Sequence, residues 1–430
     1  MSIAVIGAGY VGLTTAACFA HLGHDVVCAD VDAERVARLQ KGEVPILEAG
    51  LPEMLAAGLS ARRLRFVVGA PAAARGASVV FLCVQTPQGA DGEADLSYVE
   101  VVAREIAPVL APSSVVVNKS TVPVGSTRFV QRVLSEAGVV DGVTVASNPE
   151  FLREGQAVRD FLQPDRIVIG CEQPESAVRV SELYKGIHAP VLVTDPASAE
   201  MIKYASNAFL ATKVSFINAI ANLCEALDAD VREVAIGMGY DERIGFQFLH
   251  PGPGYGGSCF PKDVSALLHA SRVSGYDFEL LAGVVDVNKS QHERIVEKVR
   301  AAVGGDLTEA VVGVWGLTFK AETDDLRDSP ALVICRRLLE GGARVQAYDP
   351  AAGEAAAALV PGVEIRSDAY EAASGARAIA LLTEWDEFRW LDFERVAQAM
   401  HGRAIVDARN LLDPAAMRRR GFSYDAVGRR

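Results

Sequence analysis

The sequence is poor in the features that mark secreted, metal-organised or nucleic-acid-binding chains. Seven cysteines (Cys18, Cys28, Cys83, Cys171, Cys224, Cys259 and Cys335) stand singly along 430 residues. No CxxC pair and no histidine at ligand spacing accompanies them, which excludes a disulfide framework and a structural zinc site. Basic residues are outnumbered and the formal net charge is −13. A sequence-independent grip on nucleic acid or anionic lipid needs an excess of Lys and Arg on one face, so neither partner is expected. No apolar run reaches the ~18–20 residues of a membrane span. The opening "MSIAVIGAGY" enters a glycine turn without the basic, apolar and small-residue regions of a secretory signal. Short-period repeats and low-complexity tracts are missing too, and the arginine-rich "MRRRGFSYDAVGRR" reads as a solvated end. What remains is a reduced, cytoplasmic, globular protein of two or three domains, with no metal and no membrane contact.

What is present is alternation. Residues 2–6, "SIAVI", read as a strand that stops at "GAGYVG" and passes into the helical pattern "LTTAACFAHLG". "DVVCAD" is the next strand, ending at Asp30, and "SVVFLCV", "SVVVNKS", "TVASNPEF" and "RIVIG" follow between helix-like segments. This predicts a mostly parallel sheet with helices on both faces. From Ser198 to about Ala229 the text is one helical pattern without Gly or Pro, expected to be a spine between domains. A second strand-rich block begins at "AVVGVWGLTFK" and continues through "RVQAYDP", "ARAIALLT" and "RAIVDAR". The expected fold class is α/β, two Rossmann-like open parallel-sheet domains joined by a long central helix. The expected domains are 1–197, a dinucleotide-binding unit; 198–300, helical; and 301–430, a second α/β unit.

Gly7, Gly9 and Gly12 satisfy G-x-G-x-x-G between a strand and a helix. The glycines permit a tight turn and close backbone approach, so that the helix N-terminus holds a pyrophosphate. Asp30 closes the next strand, where a carboxylate accepts bonds from a ribose 2′-hydroxyl and repels a 2′-phosphate. NAD is therefore expected over NADP, a preference that the nearby Arg35 dilutes. The second α/β block has no such turn and is expected to bind something else.

One cysteine stands apart from the rest. In "GGSCFPKD", Gly256 and Gly257 expose backbone, Ser258 is a plausible N-cap, and Pro261 suits a first helical turn. Cys259 then sits at a helix start beside Lys262, where dipole and ammonium both favour thiolate, with Asp263 four residues on. The alternative, a small buried hydrophobe, is accepted for Cys18, Cys28 and Cys83. Glu150 and Glu154 of "NPEFLREG" follow a strand end, where open α/β sheets present ligands; a salt-bridging surface helix turn is the other reading. Lys203 and Asn207 share one face of the spine, the lysine either snorkelling or poised in a site. Lys320 and Arg327 follow the first strand of the second block, as phosphate cations or as a solvated charged loop.

Taken together, "GAGYVGL", "CVQTPQ", "NKSTVPVGS", "NPEFLREG", "PDRIVIG", "AEMIKYASNAFLATKVSFINAIA", "RIGFQFLHPGPGYGGSCFPKD" and "GLTFKAETDDLRDSP" resemble, in order, the UDP-glucose/GDP-mannose dehydrogenase family of nucleotide-sugar dehydrogenases. The resemblance spans nearly the whole chain. It implies an N-terminal NAD domain, a central helix that builds a homodimer, a C-terminal domain holding UDP, and the sugar at the junction. It implies oxidation of a primary alcohol at sugar C6 to a carboxylate, four electrons passing to two NAD. The residues it implies are Cys259 as nucleophile, Lys203 and Asn207 stabilising an oxyanion, and Asp263 with Thr121 handling a proton through water. Glu154 would direct water at a thioester, supported by Glu150. Phe151, Leu152, Phe248, Tyr255, Gly256, Lys320 and Arg409 would line the nucleotide sugar, with Arg243 contributed by the partner subunit. For NAD, the family adds Val11, Thr86, Thr121, Lys262 and Arg327 to the three glycines, Asp30 and Arg35.

This chemistry needs a thiol. A free aldehyde has no hydride to give in the required geometry until a nucleophile adds, and a cysteine supplies that addition. Within the family, "KSTVPVG" and "GYGGSCF" lean toward UDP-glucose, with GDP-mannose the alternative and UDP-N-acetylmannosamine less favoured. A nucleotide-sugar sensor would have no use for Cys259, Lys203 and Glu154 together. A two-electron β-hydroxyacid dehydrogenase, which shares the layout, would need no thiol.

Overall fold

Runs rich in valine, isoleucine and leucine form the strands, and alanine-rich segments form the helices that cover them. The computed structural model describes residues 1–89, 91–139 and 142–429; Arg430, the end of the expected third domain, lies outside them. The described chain divides into two compact units, 1–206 with 265–274, and 207–264 with 275–430.

The first unit contains β1 (Ser2–Ile6), β2 (Asp25–Asp30), β3 (Leu64–Val68), β4 (Val79–Leu82), β5 (Val115–Asn118), β6 (Thr144–Ser147), β7 (Ile167–Cys171) and β8 (Val191–Thr194). Their order is β3-β2-β1-β4-β5-β6-β7-β8, and β1 to β6 pair parallel. The central strands β4 and β5 are buried along their whole length, as strands covered on both faces are. Val5, Phe81 and Val117 pack with Leu13 and Phe19 on one face. Ala4, Val80 and Val116 pack with Val99, Ile106 and Val130 on the other. The order reverses between β1 and β4, and such switch points leave a crevice at the carboxyl ends of the strands. In keeping with the expected mostly parallel sheet, one pair is antiparallel: β6 and β7 pair through Ala146↔Cys171 and Ser147↔Gly170. Residues 148–166 between them carry only the short helix Ala157–Leu162 and no long crossover helix, so the chain turns back beside β6.

The second unit contains β9 (Val311–Trp315), β10 (Arg344–Tyr348), β11 (Glu364–Ile365), β12 (Ala378–Leu381), β13 (Ala404–Asp407) and β14 (Ser423–Ala426). All pairs are parallel, in the order β11-β10-β9-β12-β13-β14. This repeats the winding of the first unit, with its switch point between β9 and β12. The likeness extends to the turn after the first strand. Gly7 has φ +102° and donates to the Ala29 carbonyl at 2.8 Å; Gly316 has φ +87° and donates to the Tyr348 carbonyl at 2.8 Å. Asp349 stands where Asp30 stands, but its carboxylate is buried and gathers the amides of Leu317, Thr318, Ala351 and Ala352. No capacity is left there for a ribose hydroxyl.

The spine helix runs from Pro196 to Leu227 and passes the division between the units at Ser206. It begins two residues before Ser198 because Pro196 suits a first helical turn. It ends at Leu227, before Asp228, whose φ of +63° breaks the helix. A second long helix, Glu279–Ala302, buries Ile295, Val296 and Val299 with Ile217 and Ala221 against Val312 and Val314. Among the described residues, no helix is long and apolar enough to cross a membrane.

Candidate active site

In the first unit, the turn after β1 is shaped by what its glycines exclude. A side chain on Gly7 would meet the Cys83 carbonyl at 2.6 Å, and one on Gly12 would overlap the Gly7 carbonyl. Gly9, at the N-cap of the helix Tyr10–His21, has open space where a β-carbon would be. Open space before unsatisfied first-turn amides suits a pyrophosphate, and Val11 lies in that first turn. Asp30 Oδ2 accepts from the Ala8 amide (2.8 Å) and Oδ1 from the Asp32 amide (3.0 Å). Arg35, expected to dilute the preference for NAD, has Nη1 3.5 Å from Asp30 Oδ2, so the cation is engaged with the carboxylate. Thr86 Oγ1 donates to the Thr121 carbonyl at 2.8 Å, tying the loop after β4 to the loop after β5. Together these residues fit a dinucleotide.

Two strands along, Asn148 ends the run from β6 in a buried network. Its Oδ1 accepts from Lys119 Nζ (3.1 Å) and the Tyr184 hydroxyl (2.5 Å), and its Nδ2 donates to the Val168 carbonyl (2.8 Å). Glu150 follows. Its Oε1 accepts from Lys203 Nζ at 2.9 Å, with both side chains 4% exposed, and its Oε2 accepts from the Leu152 amide at 2.6 Å. Burial pushes the Glu150 carboxyl up, but the Lys203 ammonium, the Leu152 amide and the charge of Lys119 outweigh it and hold it below its ordinary range. The segment is irregular, so Glu150 and Glu154 do not form a surface helix turn, and Lys203 does not snorkel. Phe151 carries the Arg166 guanidinium 3.6 Å from its ring centroid, and Lys203 Nζ lies 5.5 Å from the same ring. Glu154 is partly buried, between Arg153, which grips Asp160 at 2.6 Å, and Gly155 at φ +79°.

Sequence reasoning missed Lys119 and Arg166. Burial pushes the Lys119 ammonium down to about 8. Its sequence signal was a lysine placed directly after the apolar strand "VVVN"; for Arg166, it was a cation at the start of "RIVIG".

In the second unit, Cys259 is distinguished by exposure. The other six cysteines are buried, and burial pushes the thiols of Cys18, Cys83 and Cys335 up to about 12. Cys259 is partly exposed at the head of the helix Phe260–Val273. The Asp263 amide donates to the Cys259 carbonyl at 2.9 Å, so Cys259, one residue later than expected, occupies the capping position in place of Ser258. The fully buried Asp263 accepts from Asn207 Nδ2 at 2.6 Å and from Lys262 Nζ at 2.8 Å. Lys203, in the first unit, and Asn207, in the second, are each bonded to a buried carboxylate of their own unit.

The glycine loop before Cys259 is held by side-chain amides. Gly252 donates to Asn218 Oδ1 (2.8 Å) and accepts from Gln291 Nε2 (2.9 Å), and Asn288 bonds both the amide (2.8 Å) and the carbonyl (3.1 Å) of Tyr255. Tyr255 is buried, and burial pushes its hydroxyl up to about 12. Phe248 adopts φ +64° and faces Phe260 at 6.0 Å.

A side chain on Gly256 would strike the Asp328 carbonyl, and the Gly257 amide donates to the Arg327 carbonyl at 3.0 Å. The segment bearing Phe319, Lys320 and Arg327 therefore lies directly on the cysteine loop. Arg409, after β13, donates to the carbonyls of Phe319 (2.6 Å) and Leu382 (2.8 Å) and pairs with Glu384 at 2.9 Å. Arg327 grips Asp325 through two bonds of 2.8 Å. Arg243 stands apart: its side chain is 89% exposed and its hydrogen bonds go to its neighbour Asp241.

Comparison with known proteins matches the chain in three successive stretches. Residues 1–188 match the NAD binding domain of the UDP-glucose/GDP-mannose dehydrogenase family, 197–290 its central domain and 313–414 its UDP binding domain. The UDP-glucose 6-dehydrogenase of Rhizobium meliloti is 47% identical over 435 residues, covering 100% of both chains. That of Pseudomonas aeruginosa is 45% identical over 442 residues, covering 100% of this chain and 98% of the relative. The structure of a UDP-glucose dehydrogenase from the archaeon Pyrobaculum islandicum aligns with a TM-score of 0.93 at 39% identity, over 99% of this chain and 97% of the other. The chain belongs to the UDP-glucose/GDP-mannose dehydrogenase family.

Proposed function

We propose that the protein oxidises the C6 primary alcohol of UDP-glucose to the carboxylate, with two NAD consumed and a thiohemiacetal and a thioester formed in turn on Cys259. The observation that carries the reading is the placement of Cys259. It is partly exposed while the other cysteines are buried, it heads a helix, and its glycine loop is packed on the Lys320–Arg327 segment.

The Gly7–Gly12 turn and Asp30 would hold NAD, which would supply the acceptor for one hydride in each oxidation. In the first oxidation, the hydroxyl proton leaves toward water held by Asp263 and Thr121, while the Lys203 ammonium and the Asn207 amide stabilise the alkoxide. The Cys259 sulfur then bonds to the aldehyde carbon, and the same two donors stabilise the thiohemiacetal oxygen, a charge-stabilising role of the oxyanion-hole type. Loss of the second hydride leaves a thioester. Glu154 takes a proton from water as the water oxygen adds to the thioester carbon. The carbon–sulfur bond breaks, and sulfur returns to Cys259 as the thiolate. Glu150 pairs with the Lys203 ammonium and holds it in place. Phe151, Leu152, Phe248, Tyr255, Gly256, Lys320 and Arg409 hold the nucleotide sugar, and Val11, Thr86, Lys262 and Arg327 complete the NAD contacts.

The protein acts as a homodimer in this reading, through the helical region 198–300, with Arg243 reaching the partner's sugar. Phe209, Phe216 and Leu223 recur every seven residues on the spine and Leu227 follows, all 50–74% exposed. An apolar stripe of that period suits a second helix. A cytoplasmic, reducing setting suits a nucleophile that must stay a thiol. The test of substrate is NADH release with UDP-glucose, GDP-mannose and UDP-N-acetylmannosamine side by side. UDP-glucose is expected to lead by at least tenfold in kcat/KM, and a lead for either competitor would overturn the assignment.

A further inference from the structure

The motif "GAGYVG" contains a residue that the dinucleotide turn does not require. Tyr10 opens the first helix, and its hydroxyl accepts from the Gly155 amide at 2.6 Å while donating to the Glu48 carboxylate. Glu48 is 3% exposed, and its Oε1 accepts from the Val158 amide at 3.2 Å. Two side chains distant in sequence thus take up backbone donors immediately after Glu154. On the other side of Glu154, Asp160 holds the Arg153 amide and guanidinium (2.9 and 2.6 Å), and Glu150 holds the Leu152 amide (2.6 Å). The segment 151–155 has no helix or strand of its own, so its conformation depends on these bonds. Gly155, at φ +79°, is the residue about which the chain would most easily pivot, and its amide is the one Tyr10 holds. The bond pattern requires one group that both accepts from an amide and donates to a carboxylate. A phenol does both and a phenyl ring does neither.

We infer that Tyr10, backed by Glu48, is a positioning residue for Glu154, fixing the carboxylate that directs water at the thioester. The inference rests on the role proposed for Glu154. It places a determinant of the final hydrolysis inside the motif that otherwise reads as cofactor binding alone. Tyr10→Phe removes one oxygen and leaves the aromatic body in place. Misplacing a reacting group by about 1 Å can slow a step by about 100-fold, and a smaller shift by correspondingly less. The Tyr10→Phe enzyme is therefore expected to complete both oxidations quickly and to hydrolyse the thioester about 10- to 100-fold more slowly than wild type.

The experiment compares the full-length wild type, Tyr10→Phe, Glu48→Gln and Glu154→Gln proteins. Each is mixed with NAD and UDP-glucose, NADH is followed on the millisecond scale, and quenched samples are weighed as intact protein. The expected result for Tyr10→Phe and Glu48→Gln is a burst of two NADH per site, slow turnover afterwards, and sugar attached to Cys259, as for Glu154→Gln. A merely structural defect would slow the burst as well, and a slowed burst overturns the inference. If Glu154→Gln accumulates the adduct while Tyr10→Phe and Glu48→Gln turn over without it, the inference fails and the role of Glu154 stands. If Glu154→Gln itself turns over like wild type, the role of Glu154 fails and takes the inference with it.

Discussion

Replacing Lys203 with methionine isolates the buried ion pair with Glu150. Methionine keeps most of the volume and removes the charge, leaving a carboxylate whose side chain is 4% exposed with the Leu152 amide as its remaining close donor. Breaking a buried pair by removing one partner costs about 3–5 kcal/mol, because the other charge is left uncompensated. The cost has a defined pH dependence. In the wild type, Glu150 is held below its ordinary range, so its contribution to stability is present above the unfolded value of ~4.3 and is lost as pH falls through the folded value. In Lys203→Met, burial dominates and the folded value rises above the unfolded one. The carboxyl is then protonated in both states at ~pH 4, and the penalty grows as pH rises toward neutrality. The stability gap between wild type and variant is therefore smallest near pH 4 and widest near pH 7.

Urea unfolding at pH 4.5, 5.5 and 7 measures the gap. Lys203→Met/Glu150→Gln should recover part of the loss at pH 7, since an amide carries no charge to desolvate. Activity should not recover: without the ammonium, kcat falls about 10²- to 10³-fold in both variants. Equal stabilities of single and double variants at pH 7, or a gap that does not change with pH, would refute the reasoning about the pair. A kcat within tenfold of wild type would refute the role of Lys203 in stabilising the oxyanion.

Asp30→Ser removes the acceptor proposed for the adenosine ribose and the anchor of the Ala8 amide. A bond to a charged group contributes about 1.5–3 kcal/mol, so KM for NAD should rise about 10- to 100-fold while KM for NADP falls. An unchanged NAD/NADP ratio in steady-state assays would contradict the role of Asp30. Phe209→Asp/Phe216→Asp places two charges in the exposed stripe of the spine helix, and light scattering should find the proposed dimer for the wild type and a monomer for the variant. An undisturbed dimer would move the interface elsewhere.

The strands, their alternation with helices, the spine and the two-sheet architecture were legible because apolar runs bounded by glycine turns carry a period that tertiary contacts do not override. The antiparallel β6–β7 pair was not legible: "TVASNPEF" and "RIVIG" read as strands in either direction, and direction depends on the path of the irregular segment between them. For the site, the spacing of Gly7, Gly9 and Gly12 specified a turn, and the neighbours of Cys259 separated it from six packing cysteines. What spacing could not show was the partner of each charge. Lys203 read as snorkelling or poised, and the outcome depended on Glu150, 53 residues away in sequence. Lys119, Arg166 and Tyr10 escaped notice because each acts through contacts between segments distant in the chain, which leave no local pattern. Asp349 looked like any acidic residue after a strand, and its likeness to Asp30 emerged only from the shared winding of the two sheets.

The central claim is that Cys259 carries the second oxidation covalently, and its most direct test is stoichiometry read together with substitution of that residue. Wild type with excess NAD and limiting UDP-glucose is predicted to release two NADH per sugar, with no aldehyde captured by an added carbonyl reagent. Cys259→Ser is predicted to form no net UDP-glucuronate, either stalling before the second hydride leaves or stopping at a slowly hydrolysed ester. Undiminished release of two NADH per sugar by the Cys259→Ser enzyme would contradict the covalent mechanism and return this cysteine to a packing role.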